Sequence, residues 1–207
     1  MQIIYKDNEI VVCVKPSGVL SAKDASGKPN MTDLLADELG ANIVYPVHRL
    51  DKEVSGLMVF ALTASSSAKL SADVSDHTRF QKEYLALVSG CPEQDKGIFE
   101  DLLFKDSSKN KVYVVKKLRK GVKKAKLEYE VLNKSDDKTL ARVRLFTGRT
   151  HQIRVQFASR KMPIIGDRKY GGKPNENGIE LYSCRLSFYH PETQEYLTFE
   201  KIPTIKI

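Results

Sequence analysis

The chain has 207 residues, 41% hydrophobic and 29% charged, with a formal net charge of +8; this suits one domain or two tightly packed halves around a substantial core and is too apolar for a disordered chain. No run of about eighteen apolar residues exists to span a membrane as a helix, and Met1-Gln2-Ile3-Ile4-Tyr5-Lys6-Asp7 lacks the basic and apolar regions of a signal peptide. Cys13, Cys91 and Cys184 are unclustered, which argues against a disulfide framework or a zinc site and predicts a soluble protein of the reducing cytoplasm.

Ile10-Val11-Val12-Cys13-Val14 reads as the first, buried strand, closed by the turn Lys15-Pro16-Ser17-Gly18. Asn30 predicts the cap of a helix running to Leu39, with Asp33 in its first turn and Gly40 past its end. Residues 57–62 form a continuous apolar strand, and residues 64–74 have helical spacing. Residues 82–88 alternate as a half-buried strand would before Gly90. Residues 111–117 and 126–132 flank Arg119-Lys120-Gly121-Val122 and predict a hairpin. Residues 140–145 alternate again, residues 150–161 predict a helix with Ile153 and Phe157 on one face, and residues 181–188 and 196–199 close the chain as strands. Many strands and few helices, in no regular βαβ order, predict an α+β fold with a mixed, largely antiparallel sheet, built as one catalytic-type domain over residues 1–207.

The charge is uneven. Residues 105–126 carry ten Lys or Arg against Asp106, a net +9, and residues 146–173 carry seven against Asp167, a net +6; the rest of the chain sums to −7. Two basic segments on an acidic background suit a polyanion, although a lysine-rich hairpin also serves as a solvated edge guarded against aggregation. Two polar constellations stand out. His48-Arg49-Leu50-Asp51-Lys52-Glu53-Val54-Ser55-Gly56 lies in a loop before an apolar strand, where Asp51 taken alone reads as a turn or capping residue sooner than as a nucleophile, and His48 alone as structural. Thr147-Gly148-Arg149-Thr150-His151-Gln152-Ile153-Arg154 lies at a strand-to-helix junction, where N–H groups and basic side chains suit phosphate or carboxylate.

Taken together, these segments resemble the RluA-type pseudouridine synthases. The resemblance rests on Lys15-Pro16-Ser17-Gly18, His48-Arg49-Leu50-Asp51 with Ser55-Gly56-Leu57, Lys82-Glu83-Tyr84, the 147–154 run, and Pro163-Ile164-Ile165-Gly166-Asp167 with Tyr170-Gly171, all in the family's order. It implies isomerisation of uridine within RNA: the bond from nitrogen 1 to the ribose breaks, the uracil turns, and carbon 5 is joined instead. By motif position it implies Asp51 as the catalytic aspartate, acting on sugar or ring or as a base, with Arg154 as its partner. It also implies Tyr84 as the ring that stacks on the target base and Arg49 as an aid to displacing that base. An ionised carboxylate against the sugar needs a nearby cation, and a base flipped from a structured RNA needs a stacking partner.

The resemblance further implies no cofactor, nucleotide or metal and no membrane partner. The expected partner is a tRNA or rRNA stem-loop, engaged by a monomer. With only about nine residues before the first strand, no separate RNA-binding domain is expected ahead of the catalytic one. Arg149, His151 and Lys116, Lys117, Lys120, Lys123 and Lys124 are the expected RNA-binding residues. The chain departs from its relatives at Val54, Gln156 and residues 159–161, positions that bear on which RNA is recognised. Rival readings are a non-catalytic RNA-binding protein or RNA chaperone on the same fold, and a metal-independent nuclease using His48 and His151 as acid and base.

Overall fold

The chain opens with two antiparallel strands, β1 (Gln2–Lys6) and β2 (Ile10–Lys15), turned by Asp7, whose Oδ1 accepts from the Glu9 and Ile10 N–H groups. The computed structural model describes residues 1–205, and these gather into two compact units. The first unit is Met1–Lys82 with Tyr182–Ile202, and the second is built on Glu83–Leu181.

In the first unit the expected helix is α1 (Met31–Leu39), capped by the Asn30 side chain, which accepts from the Asp33 N–H at 3.0 Å. A short strand β3 (Tyr45–Pro46) leads into the loop that carries Asp51. That loop feeds β4 (Ser55–Ala61), and α2 (Ala64–Asp73) follows with Thr63 as its cap. The chain returns later as β10 (Leu181–Tyr189) and β11 (Tyr196–Glu200). β2 lies antiparallel to β1 and β4, β4 runs parallel to β10, and β10 is antiparallel to β11. Ile10, Val12, Leu57, Val59, Leu70, Phe80, Leu186 and Phe188 interlock as the core. Burial of each such side chain contributes about 1.5–3 kcal/mol.

The second unit begins within β5 (Phe80–Ser89) and continues through β6 (Lys96–Asp106), β7 (Lys111–Val115), β8 (Val122–Lys134), β9 (Lys138–Leu145) and α3 (Gln152–Ala158), followed by a 3₁₀ turn, Arg168–Tyr170. Its strands lie in the order β5-β9-β8-β6-β7, each antiparallel to its neighbours. Phe99, Tyr129 and Phe157 meet edge-on or tilted at 4.8–5.9 Å, fixing α3 to the sheet. A mixed, largely antiparallel sheet, with three α-helices among the described residues, is the class the sequence predicts.

Four details differ from that expectation. Residues 111–117 and 126–132 do not form a hairpin, because β6 lies between β7 and β8 and pairs with both. Residues 116–121 therefore cross over β6 at Phe104, where the Arg119 guanidinium sits 5.1 Å from the ring. β5 is not half-buried: Tyr84 to Val88 are all buried, so both faces of the strand are covered there. The helix predicted over 150–161 is shorter, because His151 and Lys161 take positive φ of 51° and 63°, outside helical backbone. Finally, β1 precedes the strand expected to be the first.

Candidate active site

The loop around Asp51 is held through its backbone on both sides. Ser21 Oγ donates to the Leu50 carbonyl and accepts from the Leu50 N–H, each at 2.9 Å. Lys15, fully buried, donates from Nζ to the carbonyls of Pro16, Val19 and Lys52 at 2.8, 2.8 and 3.0 Å. Gly18 N–H also reaches the Lys52 carbonyl, and Ser17 Oγ donates to that of Glu53 at 2.6 Å. The Lys15-Pro16-Ser17-Gly18 motif is thus the clamp on the Asp51 loop, which explains why the two motifs go together. Val47, Leu50 and Val54 turn inward while Asp51 stays half-exposed and Arg49 exposed.

Ser55-Gly56 completes the motif for a steric reason. Gly56 has φ of 121°, and a Cβ there would collide with the Ser183 carbonyl oxygen, so only glycine lets β10 approach. Beside the loop opens a cleft of about 430 Å³, lined by Leu20, Lys23, Arg49, Leu50 and Lys52 among others.

Two buried groups nearby have clear chemistry. Burial pushes His48 down to about 3, and its Nε2 accepts from the Val59 N–H at 3.2 Å. His48 is therefore a neutral structural imidazole, which leaves the nuclease reading without its first histidine. Lys82, 5% exposed, has its ammonium 5.6 Å from the Phe80 ring, and burial pushes it down to about 8. Between pH 8 and the ordinary lysine value of 10.5 the folded protein then binds fewer protons than the unfolded chain, so this group adds stability as pH rises through that window. Lys82→Met is expected to raise the unfolding free energy at pH 7 by up to about 3 kcal/mol, with the gain gone at pH 10.5. Urea melts of both proteins at the two pH values measure this; an equal gain at both would show that the buried charge is not the cause.

In the second unit the 147–154 run is tied to β8. Thr147 Oγ1 accepts from the Lys126 N–H and donates to Gln152 Oε1, which also accepts from the Arg149 N–H, while Gln152 Nε2 donates to the Lys126 carbonyl. Arg149 Nε donates to the Lys124 carbonyl at 3.1 Å, so the two basic segments meet here. His151 Nδ1 is 2.9 Å from the Tyr170 hydroxyl, which accepts from the Val112 N–H of β7. Arg154 is buried and forms a two-pronged ion pair with Asp167, Nε to Oδ2 at 2.7 Å and Nη2 to Oδ1 at 2.8 Å. Tyr84, 5% exposed, lies on β5 opposite Val143 of β9.

Of the predicted site residues, Arg49 and Asp51 belong to the first unit; Tyr84, Arg149, His151, Arg154 and the five lysines belong to the second. Lys116, Lys117 and Lys120 lie on the 116–121 crossing and Lys123 and Lys124 open β8; all five are exposed, and among the described residues none has a carboxylate within 4.0 Å. Lys126, by contrast, is paired with Glu100 at 2.7 Å. Sequence reasoning gives no role to Asp167 or to the Lys15 clamp, although both lie in motifs that carry the resemblance.

The sequence profile of the RNA pseudouridylate synthase family matches residues 9–159. The ribosomal large subunit pseudouridine synthase D of Haemophilus influenzae is 34% identical, over 95% of this chain and 65% of its own length. The dual-specificity RNA pseudouridine synthase RluA of Pasteurella multocida is 33% identical, over 98% of this chain and 93% of its own. Among solved structures, human RNA pseudouridylate synthase domain containing 4 superposes with a TM-score of 0.80 at 23% identity, covering 98% of this chain and 88% of that one, a likeness of fold. The chain therefore belongs to the RNA pseudouridine synthases, a family of RNA-modifying isomerases. No helix among the described residues is long and apolar enough to cross a membrane.

Proposed function

We propose that the chain isomerises specific uridines in a structured tRNA or rRNA stem-loop, with Asp51 as the catalytic carboxylate. The observation that supports this most is the clamp on the Asp51 loop: Leu50 and Lys52, on either side, are fixed through their backbones while Asp51 stays accessible. A rigid loop presenting one carboxylate is what a reaction at a sugar needs, since positioning alone removes much of a barrier. In this reading Arg154 is the counter-cation of Asp51, Tyr84 offers its ring to the flipped uracil, and Arg49 helps displace it. Stacking of a base on such a ring contributes ~1–3 kcal/mol and offsets part of the flipping cost of a few kcal/mol. Only the uracil is detached and turned within the active site while its ribose stays in the strand, so the RNA is neither cut nor shortened.

The target class follows the relatives, one of which is named for the ribosomal large subunit. Pseudouridine mapping of total RNA from a strain lacking the gene, against its parent, tests it. A site that disappears, and returns with wild type but not with Asp51→Asn, identifies the substrate. A map identical in both strains would reject the proposal, and shortened RNA in a purified assay would point to a nuclease instead.

Lys116, Lys117, Lys120, Lys123 and Lys124 are the proposed grip on the RNA backbone, with Arg149 and His151 beside them. Five exposed ammonium groups without carboxylate partners have their charge available for phosphates. Replacing Lys116, Lys117, Lys120 and Lys123 by glutamine is expected to flatten the dependence of RNA affinity on salt, by ~0.7–0.9 in logarithmic slope for each phosphate no longer neutralised. Filter binding across a series of KCl concentrations measures it; an unchanged slope would return these lysines to the role of a solvated edge.

A further inference from the structure

Asp167 is the buried carboxylate for which the proposed chemistry has no use. It meets Arg154 side-on, taking Nε and Nη2, with side-chain exposures of 4% for the arginine and 1% for the aspartate. Its own position leaves little freedom. The Asp167 N–H donates to the Ile164 carbonyl, and its carbonyl accepts from Tyr170 and Gly172 at 3.1 and 2.8 Å. A Cβ at Gly172 would collide with the Ile164 oxygen, so the turn closes only because that residue is glycine. The Tyr170 ring of the same turn lies 5.3 Å from the guanidinium. One turn thus supplies both the carboxylate and the ring against which Arg154 is set.

A guanidinium has five N–H donors in a planar fork. A carboxylate taking Nε and one Nη2 hydrogen leaves the end edge, Nη1 with the other Nη2 hydrogen, whose direction is then fixed by the first pair. We propose that Asp167 is a positioning residue for the reaction: by holding Arg154 side-on it fixes the direction of the arginine's end edge, the edge with which a counter-cation acts. This rests on the reading of Arg154 as the counter-cation of Asp51. Arginine carries several rotatable bonds, and without the side-on pair the guanidinium loses that fixed direction. A misplacement of about 1 Å at a reacting centre costs on the order of 10²-fold in rate. RNA affinity, carried by exposed cations elsewhere, does not depend on it.

The test compares single-turnover rate with RNA affinity in Asp167→Asn, assayed well below its melting temperature. Asp167→Glu is a second variant, retaining the charge while displacing the fork by one methylene. In each, the rate is expected to fall about 10²-fold while the dissociation constant stays within threefold. A rate within threefold of wild type in the folded variants would overturn the inference, and so would rate and affinity falling together. Asp51→Asn is assayed alongside. If it remains active, the underlying reading fails; if it is inactive while both Asp167 variants run at full rate, this inference alone fails.

Discussion

Asp51→Asn is expected to abolish pseudouridine formation, lowering the single-turnover rate by roughly 10⁴-fold or more, with RNA affinity within a few-fold of wild type. The amide has the shape of the carboxylate but can neither attack as an anion nor accept a proton as a base, so both forms of the chemistry fail. The bonds that hold the loop, to the carbonyls of Leu50, Lys52 and Glu53, do not involve the Asp51 side chain and remain in this variant. Carbon 5 of the uracil loses its hydrogen when it joins the ribose, so release of tritium from RNA labelled there reports turnover, and a gel shift reports affinity. Retained turnover in this variant would sink the assignment.

The second large effect is on stability. Arg154→Ala is expected to destabilise the fold by ~3–5 kcal/mol, because it leaves Asp167 as an uncompensated buried charge. Arg154→Met combined with Asp167→Leu should lose much less, since an apolar pair of similar volume carries no unpaired charge. Urea unfolding of the single and double variants gives the coupling between the two positions. If the single and double variants were equally destabilised, the loss would come from packing rather than from charge.

How far the sequence discloses this arrangement depends on which physical signal each element carries. β2 and β4 are unbroken apolar runs and β9 alternates cleanly, so their positions are plain. α1 is plain because Asn30 and Gly40 bound it chemically. β6 is hidden because its buried residues, Phe99 and Leu103, are four apart among charged neighbours, a spacing that fits a helix as well as a strand. With β6 unseen, the lysine-rich strands on either side of it look like partners. Alternation places Lys82 on an outward face, and only the covering of both faces of β5 shows it buried. The candidate residues are legible through motif order alone. The pairing of Arg154 with Asp167 is not, because it depends on a turn thirteen residues later folding back onto α3.

The first unit is drawn from two well-separated stretches, Met1–Lys82 and Tyr182–Ile202, whereas the second is built on the one long stretch between them, Glu83–Leu181. During synthesis, Tyr182 and Ser183, which pair with Ser55-Gly56 just beyond Asp51, are made only after the whole stretch from Glu83 to Leu181. Domains fold as units as they emerge. A truncated product ending before β10 would keep the exposed lysines but lack the strand that pairs with Ser55-Gly56 beside the Asp51 loop. If those lysines grip RNA as proposed, such a product is expected to compete for RNA without modifying it, so late-truncating mutations should interfere with the intact enzyme in the same cell, where early ones do not.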